Sequence, residues 1–441
     1  MYFTDLRLTL IQIINNFTSP FTESKIPAVS IRKPIEEFNT QTITEVVWKN
    51  ITDRVLSLAI RDNQQSVRAA AVSIFSNIVP STFDTFSDNI SQEIITLVFS
   101  TIKDESPNVR TAACRTIGVF VLFSRLQNNL EFMKSSMRSF EALLEDKVLN
   151  VRVRASWSIA NLCDSLRISN LKENNELTMP ILISCLNTFK DNDKVLCNSV
   201  RALGNIANFS SRDLLQEKVY IGVNKRYMLH AEGTDNVEKS VEQTLLEMLL
   251  FTLDMKEASV KSKWNTCYAL GNLIGNVNIG PYTTDMAVNS LCDRITTDLN
   301  FKVRIQAVLA LSLTNQYGSG TNTFRVWRSL LDSFNDLRSD NPAHFSEYKY
   351  IKTLKKQLLT TITHFAKHVG LENFIKASTQ VQEYFIENAE LIVSVYAECE
   401  WEDEYMETIQ CLIEIFNMME LLDESSALST IIKRHNFEIG N

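Results

Sequence analysis

Glycine and proline are scarce in this chain of 441 residues, which contains only 11 glycines and 8 prolines. Both residues interrupt regular helices, and both are used in quantity where strands are joined by tight turns. A chain built from β-hairpins is therefore disfavoured. The scarcity of helix breakers favours helices joined by short connections.

Positive charge is not in excess either. The chain holds 44 lysines and arginines against 52 aspartates and glutamates, so its formal net charge is −8. A protein that binds phosphate backbones presents a basic surface. Nucleic acid is therefore not an expected partner.

Long hydrophobic runs are missing as well. No stretch approaches the ~20 apolar residues that span a bilayer, and Asp5 and Arg7 interrupt the N-terminus too early for a secretory signal. The eight cysteines include no Cys-x-x-Cys pair and are expected to be reduced residues of the core. We expect an intracellular protein, cytoplasmic or nuclear, with no membrane span.

Motifs for catalysis or metal binding are also lacking. The glycine pairs at 271 and 275 and at 318 and 320 lack the lysine of a phosphate-binding loop. His364 and His368 have the spacing of zinc ligands on a helix, but Phe365 replaces the acidic base and no third ligand is evident. We expect no enzymatic activity, no cofactor, no metal and no small-molecule substrate.

A repeated segment is the dominant positive feature of the sequence. Successive copies start 41 to 44 residues apart, except for one interval of 67 residues. HEAT and armadillo repeats have a period of about 40–47 residues. The long interval is explained by an insertion of roughly 25 residues near 211–238, since one repeat accounts for the rest. The six copies begin at Val67, Val109, Val151, Val195, Ser262 and Val303.

The copies share a pattern of residue size. With the first residue of each copy as position 0, position +4 is always small and position +8 is always large and apolar. Positions 0, +4, +7, +8 and +11 fall on one helix face, so they form a core-facing stripe. Each copy follows another amphipathic stretch, which makes each repeat a hairpin of helix A and helix B. The sequence thus predicts an all-α fold, a HEAT/armadillo-type α-α superhelical solenoid.

This pattern also predicts the organisation of the chain. Residues 1–42 are expected to form an N-terminal helix and an extended linker, and residues 43–323 the six repeats. Residues 324–441 are helical in pattern but have lost the repeat motif, so we expect degenerate helical repeats there.

Four repeats carry an aspartate six residues before an arginine. The aspartate is expected to cap helix B, and the arginine to reach the aspartate of an adjacent repeat. The alternative is a row of phosphate-binding arginines. The pairs are Asp62/Arg68, Asp104/Arg110, Asp146/Arg152 and Asp298/Arg304.

A second stripe lies beside the core face of helix B, at positions +3, +6 and +10. In repeats 3–5 it consists of asparagine, arginine and aromatic residues, and the outer repeats lose it. Asparagine can pair with an extended backbone of any sequence, and aromatic rings supply rigid contact area. The stripe predicts a partner-binding groove; the alternative is that the asparagines brace the loops between helices. Its residues are Arg154, Trp157, Asn161, Asn198, Arg201, Asn205, Asn265, Tyr268 and Asn272.

Two resemblances bear on function. Trp157 and Asn161 have the four-residue spacing of the Trp–Asn pairs that line the concave peptide-binding groove of armadillo carriers such as importin α. Residues 200–205 (VRALGN), 261–272 (KSKWNTCYALGN), 301–304 (FKVR) and 316–318 (QYG) resemble the HEAT repeat-containing protein six family, over about 43–370. Ser262 and Lys263 depart from the Val-Arg expected there. This second resemblance implies a helical-repeat interaction protein without catalytic residues.

The function expected from these features is a non-catalytic scaffold or adaptor that binds an extended segment of a protein partner in the concave groove of repeats 3–5. A rigid structural subunit of a larger assembly is one alternative, and a karyopherin-like transport carrier is another. The carrier would need acidic flanks along its groove to bind basic cargo. The sequence does not identify the partner.

Overall fold

The computed structural model of the chain describes residues 14, 40–219, 239–337, 347, 349–398 and 404–439. Most of the predicted N-terminal segment 1–42, and most of the insertion near 211–238, lie outside this range. Contacts between residues divide the chain into two compact units, Met1–Phe209 and Ser210–Asn441. The repeat pattern does not mark this boundary, and the three-part organisation proposed from the sequence stays a prediction.

The first unit consists of helical hairpins. A π-helical turn, Thr52–Leu56, follows the first helix, and a 3-10 turn, Thr188–Lys190, follows α10. The helices are α1 Thr40–Ile51, α2 Ser57–Ala59, α3 Gln65–Phe75, α4 Pro80–Phe83, α5 Asp88–Ser100, α6 Pro107–Phe120, α7 Ser124–Gln127, α8 Leu130–Leu144, α9 Leu149–Ile168, α10 Asn175–Asn187 and α11 Asp193–Phe209.

The second unit is also built from helical hairpins. Its helices are α12 Arg212–Gln216, α13 Val241–Asp254, α14 Val260–Ile274, α15 Pro281–Thr297, α16 Phe301–Leu311, α17 Gly320–Asp336, α18 Ile351–Val369, α19 Leu371–Lys376, α20 Thr379–Glu387, α21 Ala389–Ala397, α22 Glu404–Met418 and α23 Leu422–Ile439.

Two short strands connect the ends of the insertion. Strand β1, Lys218–Val219, pairs antiparallel with β2, Lys239–Ser240. Ser240 then caps α13, because its hydroxyl accepts the N–H of Gln243 while the Gln243 side chain accepts the N–H of Ser240. Val219 and Lys239, on either side of the segment that the structure does not describe, are therefore neighbours directly before helix A of repeat 5.

Successive B helices pack directly against one another. In the first unit α3 contacts α6, α6 contacts α9 and α9 contacts α11; in the second unit α14 contacts α16 and α16 contacts α18. The predicted core stripe is confirmed, since every residue at positions +4 and +8 is at most 1% exposed. These residues are Ala71, Phe75, Ala113, Ile117, Ala155, Ile159, Ser199, Leu203, Thr266, Leu270, Ala307 and Leu311.

The approach of neighbouring B helices also depends on position +9. A Cβ atom on Gly118 would lie 2.7 Å from the Cβ of Ser158 in the next B helix, and one on Gly271 would lie 2.8 Å from the Cα of Ala310. Both distances are shorter than van der Waals contact, so only glycine fits without a shift of the helix.

The predicted aspartate caps act one step earlier than expected. Asp62, Asp104 and Asp146 each accept the backbone N–H two residues later, at 2.8 Å. That N–H belongs to the N-cap residue, whereas a capping side chain bonds further into the first turn. The expectation that these side chains cap helix B directly is therefore wrong, and they close the turn that leads into it.

The cysteines behave as the sequence predicts. Six of those in the described ranges are buried thiols outside any disulfide, and the Cys411 thiol is half-buried and likewise outside a disulfide. Burial raises the pKa of the Cys114 and Cys185 thiols to about 12. Among the described residues, no helix combines the length and apolar character needed to cross a bilayer.

The small residue at position +4 can be tested by enlarging it. Ala155 is fully buried in α9, so Ala155→Leu should destabilise the first unit by about 1–3 kcal/mol through overpacking. Urea denaturation followed by circular dichroism would measure the change. Ala142→Leu is the control, since Ala142 is exposed on α8. Equal midpoints for Ala155→Leu and wild type would contradict the assigned register.

Candidate interaction surface

The aspartates and arginines of the first unit form a ladder between adjacent repeats. Arg68 binds Asp104 through two hydrogen bonds of 2.9 and 2.8 Å, and Arg110 binds Asp146 through two of 2.7 and 3.0 Å. The remaining guanidinium nitrogen of each arginine donates to backbone carbonyls of its own A–B turn. Each arginine–aspartate pair, or rung, therefore joins two repeats, and its arginine also satisfies backbone carbonyls of a turn.

The third rung uses an aspartate that the repeat pattern does not contain. Arg152 binds Asp191 through hydrogen bonds of 2.7 and 2.9 Å, although Asp191 lies four residues, not five, before its repeat segment. In the second unit Arg304 donates to Asp336 at 3.2 Å and to Ser333 at 2.7 Å. The predicted reach from arginine to a neighbouring aspartate is confirmed, and these guanidinium groups are already occupied by protein carboxylates.

The ladder lowers the pKa of its carboxyl groups. Burial would raise the pKa of Asp104 and Asp146, but the bidentate arginine and a backbone N–H outweigh it, so both are lowered. The pKa of Asp191 is lowered chiefly by its hydrogen bond from Arg152. The contribution of these groups to stability is therefore present above pH ~4, near the unfolded pKa, and is lost as pH falls through the folded pKa.

Asp146→Asn tests this linkage. The variant should lose about 1–3 kcal/mol of stability at pH 7, because a charge-assisted bidentate contact is weakened. The difference from wild type should shrink below pH ~4, where the wild-type carboxyl is protonated as well. Urea denaturation at several pH values would measure both effects. The exposed neighbour Glu145→Gln is the control. A pH-independent difference would show that the lost stability is not electrostatic.

The predicted stripe begins on α9 with a stacked pair. The guanidinium carbon of Arg154 lies 5.0 Å from the centroid of the Trp157 ring, within the range of a cation–π contact. Both side chains are half-buried, so each keeps a solvent-facing part. Burial, and then the charge of Arg115 on α6, lowers the pKa of Arg154.

The asparagines of the first unit bond to the preceding B helix. Asn161 donates to the carbonyl of Gly118 at 2.9 Å, and Asn198 donates to the hydroxyl of Ser156 at 3.1 Å. Asn161 is only 3% exposed and Asn198 only 8%. Their amide groups therefore link successive repeats from beneath the surface.

Arg201 and Asn205 complete this network with a residue absent from the predicted set. Asp164, on α9, forms an ion pair with Arg201 and accepts a hydrogen bond from Asn205. Arg201 also donates to Asn161 at 3.2 Å. Asn205 is fully buried, whereas Arg201 and Asp164 are half-buried. Asp164 lies at position +13, one turn beyond the stripe, which is why the spacing of the stripe did not include it.

In the second unit too, the asparagines of the stripe are buried and its aromatic residue is half-buried. Asn265 and Asn272 on α14 are 2% and 3% exposed, and Tyr268 between them is half-buried. The Asn272 amide nitrogen has no hydrogen-bond partner among the described residues. In both units the asparagines are beneath the surface, and the aromatic and arginine side chains reach it.

The histidines of the pair on α18 each have a ring nitrogen near a backbone carbonyl. The Nε2 atom of His364 lies 2.9 Å from the carbonyl of Thr314, and Nδ1 of His368 lies 2.8 Å from the carbonyl of His364. Across the described part of the chain, no three His, Cys, Asp or Glu side chains are grouped as metal ligands would be.

Comparison with known proteins places the architecture. The family model of the HEAT repeat matches residues 94–124, which include most of the α5–α6 hairpin. The chain also resembles the structure of Kap95p bound to RanGDP, with 14% identity and a TM-score of 0.59, over 98% of this chain and 47% of that one. The chain therefore has a HEAT/armadillo solenoid fold, which is typical of protein-binding scaffolds and generally non-catalytic.

Two other similarities are found, one in sequence and one in structure. An uncharacterised protein of Dictyostelium discoideum is 24% identical over 76% of this chain, and the match spans only 29% of that relative. A designed armadillo repeat protein is similar over 58% of this chain, with 17% identity and a TM-score of 0.39. The resemblance to HEAT repeat-containing protein six stays a prediction.

Removal of a single asparagine amide measures the bracing role. Asn161→Ala breaks the bond to Gly118 and the contact with Arg201, so the first unit should lose about 1–3 kcal/mol. Asn150→Ala is the control, because Asn150 is exposed and lies about three turns earlier on the same helix. Urea denaturation of both variants gives the comparison. Equal stability of the two would mean that Asn161 does not brace the repeats.

Proposed function

We propose that this chain is a non-catalytic adaptor that binds extended segments of protein partners on the stripe of its B helices. In the first unit the contacts would come from Arg154, Trp157 and Arg201, and in the second from Tyr268. The observation that carries the proposal is the Arg154–Trp157 pair on α9. Both side chains are half-buried, and the guanidinium carbon lies 5.0 Å from the centroid of the ring. Tryptophan, tyrosine and arginine are the residues that contribute most to binding energy at protein interfaces.

The buried asparagines support this surface from below. Asn161, Asn198 and Asn205 hold successive B helices in register through hydrogen bonds, so the aromatic and arginine side chains above them are held on rigid elements. A rigid surface loses less conformational entropy on binding than a mobile one. The two readings of the asparagines, bracing and partner binding, are therefore compatible: the asparagines fix the spacing at which other side chains make contact.

Two alternative functions belong to the same fold. Kap95p binds RanGDP in the similar structure, which favours a karyopherin-like carrier as the second candidate. A rigid structural subunit would instead bind through the edges or outer faces of its helices and would not need the stripe. We propose a location in the cytoplasm or nucleus, which is compatible with all three functions.

Loss of the two stripe aromatics separates the adaptor from the structural subunit. Trp157→Ala combined with Tyr268→Ala should reduce capture of specific partners by about tenfold, because large interface aromatics are removed while the core stays filled. Tagged wild type and variant would be compared by affinity purification with quantitative mass spectrometry from the same cells. Partners that bind wild type would then be tested individually for affinity.

The matched control removes the same residue types elsewhere. Trp264→Ala combined with Tyr282→Ala also deletes one tryptophan and one tyrosine, 39% and 68% exposed and both off the stripe. This control should keep partner capture, and both proteins should keep the helical content of wild type. Full capture by a well-folded stripe variant would reject the adaptor surface and favour binding at the edges. If the wild type captures Ran in the same assay and the stripe variant does not, the result would instead support the carrier.

A further inference from the structure

The B helices of repeats 1–3 have an unusual charge for this acidic protein. The ranges Gln65–Phe75, Pro107–Phe120 and Leu149–Ile168 contain a single acidic residue, Asp164, against six arginines. The chain as a whole carries a net charge of −8. The excess of positive charge is thus local to these helices. The arginines are Arg68, Arg110, Arg115, Arg152, Arg154 and Arg167.

The aspartates that contact these helices are paired with other arginines. The ladder neutralises Arg68, Arg110 and Arg152 with aspartates from the turns, and Asp164 is paired with Arg201. Two arginines of the stripe region remain. Among the described residues, no acidic side chain forms an ion pair with Arg115 or Arg154.

These two arginines belong to the same surface. Cys114, next to Arg115 in sequence, accepts the hydroxyl of Ser158 through its carbonyl at 2.9 Å, and Ser158 is next to Trp157. This bond fixes α6 against α9 so that positions +6 of the two repeats are neighbours. Arg115 is exposed at position +6 of repeat 2, while Arg154 lies half-buried against the Trp157 ring.

The arrangement leaves charge uncompensated. Burial and the nearby Arg115 both disfavour the charged form of Arg154, while the cation–π contact with the Trp157 ring favours it. A carboxylate placed here would gain from two guanidinium groups at once, with little competition from other acids. Next to it, the Trp157 ring offers apolar contact to a neighbouring side chain.

We propose that Arg115, Arg154 and Trp157 bind an acidic, extended segment of the partner protein, with carboxylate side chains on the arginines and an apolar side chain on the tryptophan. This proposal rests on the adaptor function and specifies its ligand. It also opposes a basic cargo at this part of the stripe, because lysine-rich segments would be repelled by the two arginines.

Peptides of matched composition test the charge preference. Three fluorescent peptides of about nine residues would alternate leucine with glutamate, glutamine or lysine, a length that spans about 30 Å when extended. Fluorescence anisotropy with the full chain would measure their affinities at low and high salt. The glutamate peptide should bind at least about tenfold tighter than the other two, and its affinity should fall at high salt. A single-stranded oligothymidine of similar length serves as an anionic comparison.

Charge reversal identifies the residues. Arg115→Glu combined with Arg154→Glu should lower the affinity for the glutamate peptide by about tenfold or more, because attraction between peptide and surface becomes repulsion. The control is Arg61→Glu combined with Arg138→Glu, which makes the same change in net charge at two exposed arginines outside the B helices. The control should stay within about twofold of wild type, since it leaves the site intact. Circular dichroism checks that both variants are folded.

The outcomes separate this proposal from the adaptor function. If both double variants lower the affinity for the glutamate peptide equally, the proposed site is rejected, because the effect would then come from net charge alone. Equal binding of all three peptides, sensitive to Trp157→Ala, would leave the adaptor surface standing and reject the acidic ligand. Binding of the oligonucleotide without the glutamate peptide would also reject it. If the glutamate peptide does not bind wild type, the acidic-segment proposal fails, while partner capture by the purified chain still tests the adaptor.

Discussion

Within each unit, the structure depends on the close approach of one B helix to the next. Gly118 against Ser158 and Gly271 against Ala310 leave no room for a further methyl group, and the buried small residues at position +4 meet the same constraint. A helical hairpin cannot bury both of its faces alone, so each repeat is stable only when a neighbour covers it. Small side chains at the contact let this cover be complete, because protein interiors are packed to crystal-like density.

Once the helices are this close, polar groups at the contact must be satisfied across it. The hydroxyl of Ser158 donates to the carbonyl of Cys114, and the amide of Asn161 donates to the carbonyl of Gly118, so both groups are satisfied by the preceding repeat. The arginine ladder does the same at the turns, where it satisfies carbonyls of its own repeat and a carboxylate of the next. Buried polar groups without partners are costly, so these bonds also fix the register between repeats.

The repeat period and the size pattern were sufficient to predict the hairpins and the core stripe, since both follow from burial of one helix face. They were not sufficient for details that depend on three-dimensional neighbours. Asp191 forms a rung although its spacing differs, because the 3-10 turn before α11 brings it within reach of Arg152. Asp164 was missed because its role depends on Arg201 in the next repeat. The short strands β1 and β2 were not foreseen either, since two-residue strands carry no periodic signal.

The same physics explains why the stripe divides into buried amides and half-buried rings that reach the surface. In repeat 3 the asparagine at position +10, Asn161, lies where the preceding helix presents a carbonyl, so its short side chain bonds beneath the surface. Arginine, tryptophan and tyrosine at +3 and +6 are too large to fit there and extend over their neighbours. A repeat array can therefore vary its outer side chains while the inner amides keep the spacing constant. Arg115 extends this argument, because an exposed cation at +6 of a neighbouring repeat changes the charge of the surface without disturbing any bond that holds the helices together.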